Sequence, residues 1–374
     1  MSTATQPGEL LRTPLHATHR ELGARLVPFA GYEMPVHYGS ILDEHRAVRT
    51  AVGLFDLSHM GEIELNGAGA VELLRYAMVS DPAALEIGGA QYSMACEPDG
   101  GVIDDLIIYR LDPERFWVVC NASNRRAVVT HLETLLADRG HEASLEDRSD
   151  EIALVAPQGP HAVELLGRAS DVDLGALANY RATPGVVAGI ECLVARTGYT
   201  GEDGFELFCD GTRAAELWAS LGERGADLGL VPCGLGSRDT LRLEAGMPLY
   251  GNELDRSTTP FDAGLGRIVK LEKPGDFVGR AALEQIAADG PRRALVGLIV
   301  EGRGIARHGY PVQAGERRTG VITSGTQSPT LGVPIAMASV SPADAELGGM
   351  LEIEIREARI PARVVSLPFY RRKT

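Results

Sequence analysis

Residues 100–109 read Gly100-Gly101-Val102-Ile103-Asp104-Asp105-Leu106-Ile107-Ile108-Tyr109 and place two carboxylates inside an apolar run. Paired glycines followed by β-branched and aromatic residues predict a turn that leads into a buried β-strand. Burying an ionised carboxylate without a partner costs free energy, so a buried strand carries such residues only for a reason. The two aspartates are therefore the first candidates for a functional site.

The two aspartates are expected to have different roles because side chains alternate across a strand. Asp104 should share one face with Leu106, while Asp105 should share the other face with Ile103 and Tyr109. Asp105 can then face a pocket beside Tyr109 while Asp104 serves the structure. The alternative, in which both carboxylates cap backbone amides where a loop becomes a strand, stays open on composition alone.

The composition of the chain excludes several classes of function. At 374 residues, the chain is long enough for two or three domains. Its net charge of -15 argues against general binding to nucleic acid or to an anionic membrane, since both need a basic surface. No Gly-Lys-Ser or Gly-Lys-Thr sequence occurs, so we expect no P-loop nucleotide site.

The cysteine pattern and the N-terminus predict a cytoplasmic protein. None of the five cysteines forms a Cys-x-x-Cys pair, which fits a reducing compartment and argues against a zinc site. Residues 1–7 lack the basic start and apolar core of a signal peptide. The longest apolar runs are too short to span a bilayer, so we expect no membrane association.

Two sets of cationic or metal-binding side chains are predicted to be exposed. His16 and His19 lie one helical turn apart, but no third ligand lies nearby in sequence, which favours exposed helix residues over a metal site. Lys270 and Lys273 lie in a charged stretch that also looks exposed, and this argues against a Schiff-base lysine.

The pattern of secondary-structure signals changes near residue 290. Before it, strand and helix signals are mixed, as in an α+β fold. After it, short strands punctuated by glycine and proline follow one another without a long helix. This change predicts a separate C-terminal β-barrel or sandwich, with the boundary at residues 287–293.

A glycine-rich turn separates two predicted strands at Arg196-Thr197-Gly198-Tyr199-Thr200-Gly201-Glu202-Asp203-Gly204-Phe205-Glu206-Leu207. Three glycines allow the backbone to approach something closely. Glu206 is expected on the strand face opposite to its two apolar neighbours. It is either a solvent-exposed residue or a carboxylate aimed into a pocket beside Tyr199, where it would suit the paired N–H groups of a 2-amino-4-oxo-pterin.

A second polar patch lies in the predicted helix at residues 233–246. Arg238 and Arg242 are four residues apart and therefore share one helix face. They either pair with Asp239 and Glu244 or present a planar guanidinium to a carbonyl or carboxylate of a ligand.

The chain resembles the T-protein family, the aminomethyltransferases of the glycine cleavage system, over nearly its whole length. Two small departures, Tyr32 where the family often has Trp and Ser237 where it often has Ala, do not touch the carboxylate or arginine positions. The stretches that carry the resemblance occur in the family's order and spacing, and they are Arg12–Leu15, Phe29–Pro35, Gly53–Gly61, Gly101–Leu106, Thr197–Glu202, Gly236–Glu244, Ile322–Thr326, Ser328–Gly332 and Pro368–Arg371.

The resemblance implies an α+β fold arranged as a three-domain cloverleaf. Two α+β domains with antiparallel sheets are expected, together with the C-terminal β-barrel. The first domain is expected to be discontinuous and to bind folate, with residues 1–54 and 151–288. The second is expected as an insertion at residues 55–150, and the barrel at residues 289–374.

The resemblance also implies the roles of individual residues. Asp105 is expected to be the catalytic carboxylate. Eight further positions match substrate-binding residues that line the folate channel, hold its pterin end or, for the last of them, reach the site from the C-terminus: Met60, Tyr92, Tyr109, Asn121, Tyr199, Glu206, Arg238 and Arg371.

The implied reaction transfers an aminomethyl group from the lipoylated H-protein to tetrahydrofolate, the co-substrate, with release of ammonia. The reaction requires no metal, flavin or nucleotide, so none is expected as a cofactor. No nucleic-acid or membrane partner is expected either, and a monomer is the favoured oligomeric state. Flavin-dependent folate oxidases share the fold but carry a Gly-x-Gly-x-x-Gly domain that is absent from this sequence. A folate-binding accessory protein of iron–sulfur assembly is the other alternative, although residues 197–202 lack the cysteine of its signature.

Overall fold

Eight α-helices and nineteen β-strands form in residues 10–356 and 358–372, the part of the chain that this computed structural model describes. The helices are α1 (His16–Glu21), α2 (Ile41–Thr50), α3 (Ala70–Ala77), α4 (Arg125–Arg139), α5 (Ala162–Ala169), α6 (Ala214–Gly225), α7 (Leu235–Glu244) and α8 (Arg280–Asp289). The first nine strands are β1 (Arg25–Phe29), β2 (Tyr32–His37), β3 (Val52–Asp56), β4 (Gly61–Asn66), β5 (Ala90–Cys96), β6 (Val102–Asp112), β7 (Arg115–Cys120), β8 (Ser144–Asp147) and β9 (Ile152–Gln158). The others are β10 (Ala182–Val187), β11 (Ile190–Ala195), β12 (Glu206–Asp210), β13 (Leu230–Cys233), β14 (Ala294–Val300), β15 (Pro311–Ala314), β16 (Arg317–Gln327), β17 (Pro334–Val340), β18 (Met350–Ile355) and β19 (Ala358–Val365).

The first unit is a six-stranded sheet in the order β10-β11-β12-β9-β3-β13. Its core packs strand residues such as Val155 against Leu165 of α5 and Leu217 of α6, all fully buried. Neighbouring strands run antiparallel, except that β13 pairs with β3 in parallel. The expectation of a wholly antiparallel sheet is wrong at this edge, because the chain crosses over through α6 before it enters β13.

The second unit is a five-stranded antiparallel sheet in the order β5-β6-β7-β4-β8, packed against α3 and α4. All five strands lie in sequence between β3 and β9, which are neighbours in the first sheet, so this unit is an insertion. The expected boundary after residue 54 is wrong in detail. Strand β3 continues to Asp56, which still pairs with Val155 of β9.

The third unit is a closed barrel of six strands in the order β14-β17-β16-β15-β18-β19. It begins at Ala294, after α8 has ended at Asp289, one residue beyond the expected end of the preceding domain. Its centre is filled by small and branched side chains such as Leu298, Ile322 and Ala336, which are fully buried. The expected α+β fold with a C-terminal β-barrel is confirmed.

Strand β6 carries the two aspartates through the interior of the second sheet. Its pairing with β5 leaves Ile103 as an extra residue between Val102 and Asp104. This β-bulge breaks the alternation of side chains, and Ile103 joins Leu106 in the core beneath α3 and α4. The expectation that Ile103 shares a face with Asp105 is wrong for that reason.

The two histidines predicted to be exposed are buried and have carboxylate partners. Nε2 of His19 lies 2.8 Å from Oδ2 of Asp56, and its Nδ1 lies 2.8 Å from the hydroxyl of Tyr38. Nε2 of His16 lies 2.6 Å from Oε2 of Glu33. Periodicity alone did not reveal these partners, because Asp56 is distant from α1 in sequence.

Lys273 is also buried, with 4% of its surface exposed, although its charged neighbours predicted exposure. Its ammonium donates hydrogen bonds to the backbone carbonyls of Arg75, Met78 and Ser80, at and just after the end of α3. Burial lowers the pKa of Lys273 to about 7. Lys273 therefore caps the C-terminus of α3, where a positive charge is favourable.

Glu244, the last residue of α7, ties the first unit to the barrel. Its carboxylate accepts hydrogen bonds from Ser328 and from the backbone N–H and hydroxyl of Thr330. The Arg49 guanidinium donates to the same carboxylate, and Nε2 of His45 lies 3.1 Å away. Burial raises the pKa of Glu244, but these hydrogen bonds and the charge of His45 outweigh it and lower the pKa to about 2.

The Glu244→Gln substitution is expected to destabilise the fold by about 3–5 kcal/mol, the range for removing one partner of a buried ion pair. Because the folded-state pKa is depressed, this contribution is present above the ordinary carboxyl value of 4.5 and is lost as the pH falls toward about 2. Urea unfolding near neutral pH measures the difference.

Glu301→Gln is the matched control, since the ion pair of Glu301 with Arg363 is about half exposed. It should cost less than about 1 kcal/mol. Equal losses in the two variants would contradict the role assigned to Glu244.

Candidate functional site

A cavity of about 1070 Å³ lies where the two sheets, α7 and the barrel meet. Small-molecule sites are typically about 300–1,000 Å³, so this cavity has room for an extended ligand. It is lined by seven of the nine residues expected at the site, namely Met60, Tyr92, Asp105, Asn121, Tyr199, Glu206 and Arg238, and also by Asp239 and Arg242 of α7.

The carboxylate of Asp105 lies in the cavity wall and is held at both oxygens. Oδ2 accepts a hydrogen bond of 2.9 Å from the hydroxyl of Tyr92, and Oδ1 accepts one of 2.9 Å from the side-chain amide of Asn121. Burial raises the pKa of Asp105, and the two hydrogen bonds offset only part of that rise. Asp105 is therefore a stronger base than an exposed aspartate.

Asp104 lies on the other side of the strand and is fully buried. Its Oδ1 accepts hydrogen bonds from the side-chain amides of Asn121 at 2.8 Å and Asn124 at 2.6 Å, and its Oδ2 accepts one from the backbone N–H of Asn121. Burial and the neighbouring charge of Asp105 raise its pKa. The amide of Asn121 bridges the two carboxylates, so Asp104 holds in place the group that orients Asp105.

Glu206 has hydrogen-bond partners at only one of its two carboxylate oxygens in the part of the chain that the structure describes. Oε2 accepts a hydrogen bond of 2.5 Å from the hydroxyl of Thr197 and a long one of 3.4 Å from that of Tyr109. Among the described residues, none donates a hydrogen bond to Oε1. Burial raises the pKa of Glu206, while the Thr197 hydrogen bond and the charge of Arg238 oppose this rise.

Tyr109 does not line the cavity, although it was expected to line the folate channel. It is fully buried, and its hydroxyl reaches Thr197 and Glu206 from behind. Tyr109 lies on the same face of β6 as Asp105, but its hydroxyl contacts Glu206, and Glu206 lines the cavity in its place. Its place is therefore to support Glu206.

Arg238 is a guanidinium without an ion-pair partner among the described residues. It lies over the ring of Tyr199 at 4.7 Å from the ring centroid, and the hydroxyl of Tyr199 donates to the backbone carbonyl of Pro248. Burial lowers the pKa of Arg238. Arg242, one turn along α7, differs because it is fully paired, with Asp239 and Glu253.

The glycine-rich turn closes on a side chain of the protein itself. A Cβ atom at Gly198 or Gly204 would collide with the side chain of Gln158. The Gln158 amide donates hydrogen bonds of 3.1 Å to the carbonyls of Thr197 and Phe205, at the two ends of the turn. The close approach that the glycines predicted is thus to buried Gln158, and it fixes Glu206 in place.

Arg371 was expected to reach the site, but its side chain is exposed and does not line the cavity. The C-terminal segment contributes Ser366, Leu367 and Pro368 instead. Tyr370, the residue immediately before Arg371, stacks on Arg49 with 4.0 Å between the guanidinium carbon and the ring centroid. That contact, together with the hydrogen bond from its N–H to the carbonyl of Glu244, turns the end of the chain away from the cavity.

Several cavity residues escaped the sequence analysis. His59 lies beside Met60 in the stretch Gly53–Gly61, which carries part of the family resemblance. Its position next to Met60 was the signal that could have identified it. Barrel residues such as Leu295, Val296 and Gly297 gave no signal, because small and apolar side chains in short strands indicate only a core.

Two family models together match almost the whole chain. The GCVT N-terminal domain model matches residues 15–273, and the glycine cleavage T-protein C-terminal barrel domain model matches residues 293–371. The chain belongs to the glycine cleavage T-protein family. The resemblance drawn from the sequence motifs is confirmed, and the activity of this family is aminomethyl transfer.

Relatives in this T-protein family are similar over their full lengths. The aminomethyltransferase of Streptomyces avermitilis is 55% identical over 365 residues, which cover 96% of this chain and 98% of the relative. That of Streptomyces coelicolor is 54% identical, covering 98% of this chain and 99% of the relative. The crystal structure of glycine cleavage system aminomethyltransferase T from Bartonella henselae matches with a TM-score of 0.90 and 36% identity, covering 97% of this chain and 98% of that one.

In residues 10–356 and 358–372, none of the helices is both long enough and apolar enough to cross a bilayer.

The Asp105→Asn substitution is expected to raise the melting temperature of the protein by a few degrees near neutral pH. The folded-state pKa of Asp105 lies above its ordinary value of 3.8, so stability falls as the pH rises through that interval and the carboxylate ionises. Asparagine removes this cost and still offers an acceptor to Asn121. Differential scanning calorimetry should show a gain near neutral pH that vanishes at about pH 4, and a lower melting temperature near neutral pH would contradict the account.

Proposed function

We propose that this chain transfers the aminomethyl carbon of an S-aminomethyl-dihydrolipoyl group on the H-protein to tetrahydrofolate. Ammonia and 5,10-methylenetetrahydrofolate are the products, together with the dihydrolipoyl H-protein. The observation that carries the proposal is the position of Asp105, a carboxylate of raised pKa that lines a cavity together with Arg238 and Glu206. Among the described residues, the guanidinium of Arg238 has no ion-pair partner and Oε1 of Glu206 has no donor. A folate presents groups that match both carboxylates: the N–H edge of its pterin suits the Glu206 carboxylate, and the nitrogens that receive the one-carbon unit suit Asp105.

The pterin end of tetrahydrofolate fits the groups contributed by Glu206 and Arg238. The pterin carries adjacent N–H donors on one edge, and an ionised carboxylate accepts such a pair with charge-assisted hydrogen bonds. Oε1 of Glu206 is free to accept them, because Thr197 and Tyr109 occupy Oε2. The Arg238 guanidinium lies in the same cavity and can pair with acceptors on the ligand or stack on its ring.

Asp105 suits the nitrogen that attacks the aminomethyl carbon. In the overall reaction, two N–H bonds of tetrahydrofolate are replaced by N–C bonds to the transferred carbon. One of the protons released leaves with the amine as ammonia, and the other is taken up by the dihydrolipoyl sulfur. A carboxylate of raised pKa can accept such a proton as the first N–C bond forms and pass it on.

Asp105 also stabilises positive charge on the carbon that is transferred. An iminium-like carbon forms when ammonia leaves, and a carboxylate held rigidly nearby stabilises it without reorganising. Tyr92 and Asn121 supply that rigidity, since each fixes one carboxylate oxygen. The volume of the cavity leaves room for the lipoyl arm beside the folate.

Ammonia release from aminomethyl-loaded H-protein, measured with and without tetrahydrofolate, tests the proposed function. Release should require tetrahydrofolate for rapid turnover and should match the 5,10-methylenetetrahydrofolate formed, mole for mole. Folate binding without any transfer would instead favour the alternative of a folate-binding accessory protein.

Asp105→Asn is expected to lower the turnover number by about 10²–10⁴-fold, the usual contribution of general acid–base catalysis. Asp104→Asn is the matched control on the neighbouring position. It should lower the melting temperature more than it lowers turnover, because the amide nitrogen that replaces Oδ2 would face the backbone N–H of Asn121, which donates to that oxygen in the wild type. Wild-type turnover in the Asp105 variant would show that this carboxylate is structural.

Glu206→Gln is expected to weaken tetrahydrofolate binding by about ten- to hundred-fold, which corresponds to roughly 1.5–3 kcal/mol for hydrogen bonds to a charged group. Turnover at saturating folate should change much less. Isothermal titration calorimetry measures the affinity, and Thr197→Val serves as a second variant that removes the support of Glu206 but keeps its charge. Unchanged affinity with a lowered melting temperature in Glu206→Gln would assign Glu206 a structural role.

A further inference from the structure

His59 occupies the turn between β3 and β4 and lines the cavity with only 3% of its surface exposed. The turn is held from both sides. The N–H of Met60 donates a hydrogen bond of 2.9 Å to the carbonyl of Leu57. The hydroxyl of Ser58 accepts one of 3.0 Å from the N–H of Leu154. The imidazole therefore has a fixed position in the cavity wall.

The ring of His59 is packed by aromatic neighbours and has no hydrogen-bond partner among the described residues. Phe29 meets it edge-on with ring centroids 5.6 Å apart, and Tyr32 does so at 6.3 Å. Nδ1 is completely enclosed and makes no hydrogen bond, and no described residue bonds to Nε2. A histidine that served packing alone would leave both nitrogens of a buried polar ring unpaired, which is costly.

The imidazole is neutral near pH 7. Burial lowers the pKa of His59 to about 4, the charge of Asp56 raises it in part, and the nearby guanidinium of Arg238 lowers it further. A neutral imidazole carries one N–H donor and one acceptor nitrogen. Which nitrogen holds the proton then decides what the ring can recognise.

The enclosure of Nδ1 indicates where the proton lies. A buried N–H without an acceptor is rarer than a buried acceptor without a donor. The proton is therefore on Nε2, the nitrogen that is not enclosed, and Nε2 can donate to an acceptor in the cavity. Oε1 of Glu206 can accept hydrogen bonds from donors of the ligand. Glu206 and His59 would therefore bind a donor and an acceptor of the ligand, respectively.

We propose that His59 is a specificity-determining residue that donates a hydrogen bond from Nε2 to the 4-oxo oxygen of the bound pterin. This inference rests on the proposed function. In a 2-amino-4-oxo-pterin, that oxygen lies directly beside the N–H edge that a carboxylate accepts. His59 and Glu206 together then distinguish an oxo-pterin from a 4-amino-pterin, in which a donor replaces the oxygen. An unmatched donor facing a donor loses a hydrogen bond and leaves both groups desolvated.

The test compares the affinities of tetrahydrofolate and its 4-amino-4-deoxy analogue by calorimetry, in wild type, His59→Leu and His59→Gln. The ratio of the two affinities is the readout, because Glu206 is unchanged in every variant and its contribution cancels. Wild type should bind tetrahydrofolate more tightly than the 4-amino analogue. The His59→Leu substitution should reduce this preference by about ten-fold or more, as expected for one lost hydrogen bond to a buried site. His59→Gln places an amide N–H near the position of Nε2 and should retain most of the ratio.

A ratio that is the same in wild type and His59→Leu overturns the inference, while the proposed function stands as long as wild type binds tetrahydrofolate. Failure of wild type to bind tetrahydrofolate overturns the proposed function itself. If His59→Leu does not fold, His59→Asn takes its place, since its shorter amide reaches only the position of Nδ1. A wild-type ratio in that variant equally overturns the inference.

Discussion

The buried carboxylate of Asp105 is the constraint on which the rest of the site depends. An aspartate in the interior of a strand is tolerated only where hydrogen bonds replace water, and Tyr92 and Asn121 supply one to each oxygen. Asn121 is in turn fixed by Asp104, whose burial is compensated by three hydrogen bonds. The two adjacent aspartates therefore differ in role, because Asp105 lines the cavity whereas Asp104 holds Asn121 in place.

Helix α7 joins that site to the rest of the molecule. Both Arg238 and Arg242 line the cavity, but Arg238 has no ion-pair partner among the described residues, whereas Arg242 pairs with Glu253 and donates to Ser324 of the barrel. Glu244 closes the same helix with hydrogen bonds to residues 328 and 330, which precede β17. Successive turns of one helix thus line the cavity and contact the barrel, so a change that loosens the barrel is expected to reach the cavity through α7.

The sequence predicted the parts of the site that depend on local pattern. The strand at Asp105 and the shared helix face of Arg238 and Arg242 follow from periodicity. For Glu206, periodicity left open a solvent-exposed position or a pocket, and the family resemblance favoured the pocket. Contacts between distant segments could not be read in this way. The bulge at Ile103 arises from pairing with β5, the glycine turn closes on Gln158, and Arg371 is turned outward where Tyr370 stacks on Arg49.

A structure of the protein with bound tetrahydrofolate tests the central claim most directly. The account predicts that the pterin lies between Glu206 and Arg238 and that the nitrogens which receive the one-carbon unit lie within hydrogen-bonding reach of Asp105. A folate bound in the reverse direction, with its glutamate tail at Glu206, or one bound outside the cavity, would contradict the account.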